Sequence, residues 1–239
     1  MNRAIVLSSA LMIIIAGCAN RDGRAPGAGQ APGAKLCALT FDDGPDPVKT
    51  GLVLDRLEKH GIVASFFVVG QRLDESTAAT VKRAVALGCE IENHSWDYNS
   101  LAGKSEDEIR KLAGDTTKAI RKYAGKNPAF FRPPNLAVSA PLFKAVDLPF
   151  AGGVVGNDWK GQGTNAESRA RRVLAGMRDG AIILLHDVQP DPHPTPEALD
   201  ILIPELKAQG YEFVTVRELF RRKGIKPSSM KGALWMYVE

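Results

Sequence analysis

Histidine is sparse in this chain. Four occur in 239 residues, His60, His94, His186 and His193, so few imidazoles are available for chemistry or for holding a metal. Cysteine is sparser still, at Cys18, Cys37 and Cys89, too few for a disulfide-built scaffold. Strong charge is missing too. The formal net charge is +4, the basic residues are scattered, and no stretch interleaves aromatic with basic residues, which argues against a nucleic-acid partner. No apolar run reaches the roughly 20 residues that a membrane-spanning helix needs, and no internal repeat is visible. What remains is ordinary: 44% hydrophobic and 24% charged residues, enough chain for one domain with a well-buried core.

The N-terminus departs from that average. Arg3 precedes an apolar stretch, Ala4 to Ile15, which ends in Ile15-Ala16-Gly17-Cys18. A charged start, an apolar centre and small residues before a cleavage point read as an export signal. The four-residue ending resembles a bacterial lipobox and implies lipidation at Cys18, the alternative being an ordinary secretory signal with an incidental cysteine. Ala19 after Cys18, in place of an aspartate, resembles outer-membrane sorting if the source is Gram-negative. The expected organisation is a signal peptide over 1–18, a flexible Gly/Ala/Pro/Arg linker over 19–35, a catalytic domain over 36–221, and a tail over 222–239 whose Trp235, Met236 and Tyr237 pack on that domain. Cys37 and Cys89 lie at or beside apolar strands and read either as a pair that export could oxidise or as small buried hydrophobes.

Within the domain, short apolar runs alternate with helical patterns. Strands are expected at Leu36–Leu39, Ile62–Val69, Cys89–Asn93, Ala129–Arg132, Phe150–Val155, Ala181–Leu185 and Tyr211–Val216. Helices are expected at Val48–His60 (closed by Gly61), Ser76–Leu87, Ser105 to about Tyr123 with a Ser105/Glu108 capping box, Ala140–Val146, Ala166–Met177 and Pro196–Gln209. Pro204 should bend that last helix or remove a hydrogen bond from it. This alternation predicts parallel βαβ units.

The stretch that organises the rest is Thr40-Phe41-Asp42-Asp43-Gly44-Pro45-Asp46-Pro47. Adjacent carboxylates at a strand mouth raise one another's pKa unless a cation or another partner separates their roles. Gly44-Pro45 turns the chain there, at the end of the sheet where α/β folds keep their chemistry. A turn with solvated acids would explain this stretch alone. Three later stretches favour a site: Asn93-His94-Ser95-Trp96-Asp97-Tyr98; Phe131-Arg132-Pro133-Pro134 with Asn157-Asp158-Trp159 downstream; and Ile182-Ile183-Leu184-Leu185-His186-Asp187. In this order, from about Leu36 to about Phe220, the set resembles the polysaccharide deacetylases, the NodB-homology domain of carbohydrate esterase family four.

That resemblance implies a distorted (β/α) barrel and a metal-dependent hydrolase with a divalent cofactor such as Zn, Co or Ni. It implies Asp42 as general base, Arg132 orienting that base, His186 as general acid and Asp158 pairing with His186. Asp43 and His94 would be metal ligands. The family usually has a second histidine four residues after the first, where this chain has Tyr98. A phenol is a poor ligand compared with imidazole, so the metal is held by Asp43, His94 and extra waters, or Asp97 helps, or affinity is low. If residues 94–98 were helical, Tyr98 would face the same ion as His94. Pro134, Asn135, Trp159 and Ile183 are expected to contact substrate, Asn135 through its backbone N–H at the oxyanion position and Trp159 with Ile183 around the acetyl methyl, the alternative for Trp159 being plain core packing. Some family members that act on xylan depart at the Tyr98 position too, which favours O-acetyl xylan over N-acetylated chitin-like or peptidoglycan sugars. A carbohydrate-binding lipoprotein that had lost the metal is the competing class, but it would have no chemical need for the complete acid–base set. The protein is thus expected to be an exported, membrane-anchored bacterial lipoprotein at the cell surface or periplasm, monomeric, acting on an acetylated polysaccharide.

Overall fold

The computed structural model describes residues 33–160, 164–188, 194–227, 232 and 234–239. Cys18, the signal segment and nearly all of the linker lie outside the described residues. The chain opens with β1 (Lys35–Asp42), whose residues after Lys35 are all buried. It continues through α1 (Lys49–His60), β2 (Ser65–Val68), α2 (Ala78–Ala86), β3 (Glu90–Asn93) and α3 (Glu106–Ala124), then α4 (Ala140–Ala145), β4 (Phe150–Ala151), β5 (Val154–Val155) and α5 (Ala166–Ala175). It closes with β6 (Ala181–His186), α6 (Thr195–Ala208), β7 (Tyr211–Val214), α7 (Val216–Arg222) and β8 (Leu234–Trp235).

Local chemistry accounts for the main boundaries. Gly61 ends α1 at φ 59°, a left-handed position open to glycine at little cost, with its N–H donating back to Glu58. Ser105 and Glu108 form the expected capping box of α3. Pro204 lies inside α6 on its exposed face, where a carbonyl deprived of its usual partner can meet water. Two of the expected strands take a different form. Phe150–Val155 is two short strands, broken at Gly152-Gly153, where a side chain would collide with Met236, Leu234, Leu184 and the Ile182 carbonyl. Ala129–Arg132 contributes only a bridge at Phe131, parallel to Asn93 on one side and Phe150 on the other.

All named strand pairs are parallel, in the order β3-β2-β1-β6-β5, with β7 also on β1. Cys37 and Ala38 pair with both β6 and β7, and Thr40 to Asp42 with both β6 and β2. β7 and β2 therefore share one edge of β1, which prises the sheet open. The Phe131 bridges carry the ring on from β3 to β4, and the Gly152-Gly153 break separates β4 from β5. This is the distorted barrel that the motifs imply.

Alternation along the strands sorts the core. Cys37, Leu39 and Phe41 of β1 join Ile183 and Leu185 of β6 beneath α1, α5 and α6, while Ala38 and Ile182 face the other way with Phe67 and Val214. Phe41 stacks on Phe66 with centroids 5.2 Å apart. Cys37 and Cys89 are buried free thiols, and burial pushes Cys89 up to about 11. Beyond β7 the chain forms α7, which the sequence pattern did not announce, and β8 then pairs with β4. Trp235 packs edge-on to Phe220 at 5.3 Å.

Candidate active site

Register brings the acids and histidines into one layer. Asp42 is paired directly with His186 across β1 and β6, and Val68 with Asn93 across β2 and β3. The parallel strands thus end together, and Asp43, His94 and Asp158 follow in the loops just beyond. Five non-glycine residues among those described have positive φ, and all lie in loops around this mouth: Asp43 (77°), Ser95 (68°), Asn135 (59°), Leu136 (53°) and Asn157 (56°). Backbone held in such sparsely populated conformations is characteristic of functional sites.

Arg132 is fully buried and fixes the first acid. Its Nη1 donates to Asp42 Oδ1 at 2.5 Å and to Thr40 Oγ1 at 2.9 Å; its Nε and Nη2 donate to the carbonyls of Ala151 and Gly152. The guanidinium carbon lies 3.9 Å from the Phe67 ring centre. A buried guanidinium so fully satisfied is a rigid partner for a carboxylate.

His94 is oriented from behind. Its Nδ1 lies 2.8 Å from the Arg132 carbonyl oxygen, so Nδ1 carries the proton and donates. Nε2 then points at Asp43 Oδ1, 3.4 Å away, and at Asp42 Oδ2, 3.8 Å away. A histidine pinned in this way through its second nitrogen is the arrangement used for metal ligation. Burial alone would push the Asp43 carboxyl up. The hydrogen bond and charge of His94, with the charges of His186 and Arg72, outweigh it and hold that carboxyl below its ordinary range.

On the other wall, Asp158 grips His186 twice, accepting from its backbone N–H at 2.6 Å and from Nδ1 at 2.8 Å. Burial opposes charge on His186, but the charge and hydrogen bond of Asp158, with Asp42 and Asp43, raise it to about 9. His186 Nε2 lies 4.0 Å from Asp43 Oδ2, so the Asp43 carboxylate sits between two imidazoles. Asp158 also accepts from Thr195 Oγ1, and the buried Arg169 donates to that same hydroxyl. Arg169 had no motif to mark it in the sequence.

These groups open onto a cavity of about 470 Å³. Asp42, Asp43, His94, Tyr98 and His186 form its polar wall; Pro134, Leu136, Val155, Trp159 and Leu184 form the apolar one, with Asn135 at its edge. Trp159 is 45% exposed and edge-on to His186 at 6.0 Å, so it is a wall of the cavity and not core packing. Ile183 does not line it. Side chains alternate along a strand, so His186 and Leu184 share the cavity face while Ile183 turns outward beneath the helices. Tyr98 reaches the cavity but not through a helical turn. Residues 94–99 are irregular, with Ser95 in a left-handed conformation. The Tyr98 hydroxyl donates to the Asp43 carbonyl oxygen at 3.2 Å and accepts from Arg72 Nε. That engages it as a brace on the Asp43 backbone.

The donor set fits a divalent cation held by two protein ligands, Asp43 and His94, with other positions open. No cluster of three His, Cys, Asp or Glu side chains suited to a metal is found among the described residues. Asp97, the other candidate helper, spends a carboxylate oxygen on the amide of Asn99.

The parallel α/β barrel, with an Arg-held aspartate, an aspartate facing a buried histidine and an Asp-held histidine at its mouth, has the arrangement that the polysaccharide deacetylase resemblance implies. The chain belongs to that family: its polysaccharide deacetylase profile matches residues 29–148. The family 4 acetyl xylan esterase of Clostridium thermocellum, solved in complex with a cobalt ion, is 57% identical, with a TM-score of 0.84 over 85% of this chain and 99% of that one. The bifunctional xylanase/deacetylase of Pseudobutyrivibrio xylanivorans is 39% identical over 99% of this chain, and the peptidoglycan-N-acetylglucosamine deacetylase of Listeria monocytogenes is 40% identical over 79% of it. The chain spans 38% and 40% of the lengths of these last two proteins.

Proposed function

We propose that this protein is a metal-dependent deacetylase that hydrolyses acetyl groups from a carbohydrate polymer, with O-acetyl xylan as the preferred substrate. The observation that carries this reading is the convergence, on one cavity, of Asp42 held by Arg132, Asp43 facing His94, and His186 held by Asp158. Asp43 and His94 would hold a divalent cation (Co, Ni or Zn), which would supply a water of lowered pKa and polarise the acetyl carbonyl. Asp42, kept in place by Arg132, accepts the proton of the attacking water. His186, protonated at neutral pH, donates a proton to the leaving sugar oxygen. The Asn135 N–H is the donor for the developing oxyanion, and Trp159, Leu184 and Val155 enclose the methyl group.

Esters are intrinsically easier to cleave than amides, so two protein ligands suffice more readily for an O-acetyl than an N-acetyl group. The likeness to an acetyl xylan esterase supports the same choice. The Listeria relative supports the second reading, N-deacetylation of peptidoglycan. With Co²⁺ supplied, acetate release from acetylxylan should exceed that from N-acetylglucosamine oligomers by at least about tenfold in kcat/KM. The opposite order would select the peptidoglycan reading.

The N-terminal segment supports a further part of the proposal, that the protein is an exported bacterial lipoprotein, anchored to a membrane at the cell surface or periplasm through Cys18. Cys18→Ser should leave the protein in the soluble fraction when cells are lysed. A variant that still sediments with membranes would exclude a lipid anchor at this residue.

A further inference from the structure

Asp187 is a buried carboxylate for which the reaction has no use. It follows His186, has no exposed surface, and one of its oxygens, Oδ1, has no hydrogen-bond partner among the described residues. The other accepts from Thr50 Oγ1 near the start of α1. Thr50 in turn accepts from the Asp46 N–H at 2.8 Å, on the turn that carries the acid pair.

The space that this carboxyl fills is the space Gly44 leaves. A methyl group at Gly44 would lie 2.6 Å from Asp187 Oδ1 and 2.8 Å from its Cγ, far inside contact distance, although the Gly44 φ is one that alanine can adopt. It is thus the Asp187 side chain, and not the backbone, that demands glycine here. Both ends of the turn are otherwise held by main chain: the Asp187 N–H donates to the Asp42 carbonyl at 3.3 Å, and the Val69 N–H to the Gly44 carbonyl at 2.8 Å. Asp43 lies between those two anchors.

We infer that Asp187 is a positioning residue, whose carboxyl seats in the Gly44 gap and fixes the Asp42–Gly44 turn so that Asp43 faces His94. This inference rests on the reading of Asp43 and His94 as cation ligands, but its signature is the coupling between Gly44 and Asp187. That coupling is measured without turnover.

The experiment uses the full chain and four variants, Gly44→Ala, Asp187→Ala, Asp187→Asn and the Gly44→Ala/Asp187→Ala double. The readouts are the Co²⁺ dissociation constant by titration and the thermal midpoint without metal. Gly44→Ala and Asp187→Ala should each weaken Co²⁺ binding by about tenfold, with kcat falling at a given Co²⁺ concentration and KM nearly unchanged. Asp187→Asn, which keeps the shape, should stay within about threefold of the parent. In the double variant the new methyl occupies vacated space, so Gly44→Ala should add almost nothing to Asp187→Ala in either readout, a non-additivity expected of groups in contact. Additive losses, or unchanged Co²⁺ binding in Asp187→Ala, would overturn the inference. If Gly44→Ala does not fold alone, recovery of folding in the double variant gives the same support, and failure of both overturns it. A parent that binds Co²⁺ but releases no acetate would defeat the proposed function while leaving the coupling intact.

Discussion

Asp42→Asn should lower kcat by on the order of a hundredfold or more, the usual scale for a lost general base. The amide retains the size of the carboxylate and can still accept from Arg132, so the cavity keeps its shape. What it cannot do is accept a proton from water. Asp42 is suited to that task because Arg132 leaves one of its oxygens committed at 2.5 Å and the other turned toward the His94 side of the cavity. The four donor contacts of Arg132, to Asp42, Thr40 and two carbonyls, keep it from following its partner. Steady-state kinetics on the folded variant with Co²⁺ supplied, alongside a Co²⁺ titration, check this. Near-parental turnover would remove Asp42 from the reaction.

A comparable loss is expected for His186→Ala, and here pH gives a second, sharper readout. His186 is raised to about 9, so its imidazolium is present through neutral pH and is lost as pH rises through that value. Activity that depends on its proton should therefore fall on the alkaline side. Much of the shift comes from Asp158, whose carboxylate stabilises the charged ring at 2.8 Å. Asp158→Asn keeps a hydrogen-bonding side chain but removes the charge, so the His186 pKa falls and the alkaline limb of kcat/KM moves to lower pH, by about one unit or more. His186→Ala should lose that limb altogether, along with on the order of a hundredfold in rate. An alkaline limb that stays in place in Asp158→Asn would assign the acid role to another group.

Much of this site was legible in the sequence because its residues stand at strand ends. Asp42 and His186 close apolar runs and His94 directly follows β3, and parallel strands in register bring such ends to one layer whatever the intervening helices do. What failed to show was anything decided by parity or by loop shape. Ile183 and Leu184 are chemically near-equivalent, and only the pairing of Asp42 with His186 decides which faces the cavity. The spacing of His94 and Tyr98 suits a helix, but the left-handed turn at Ser95 breaks it, and the phenol ends on the Asp43 carbonyl instead. Phe150–Val155 reads as one apolar strand, yet Gly152-Gly153 are needed where that strand passes against Leu184 and the C-terminal residues, a contact between distant parts of the chain. Val216 opens a helix although it continues an apolar run, because Thr215 caps that helix by accepting from Glu218. Arg72, Arg169 and Asp187 support the site from behind through side-chain geometry that no local pattern encodes.

The most direct test of the account is acetate release from acetylxylan by the same protein before and after removal of divalent cations. A chelator followed by gel filtration should abolish release, and Co²⁺, Ni²⁺ or Zn²⁺ added back in stoichiometric amount should restore it, with no restoration in Asp43→Ala. Full release by thoroughly demetallated protein would contradict the account at its centre.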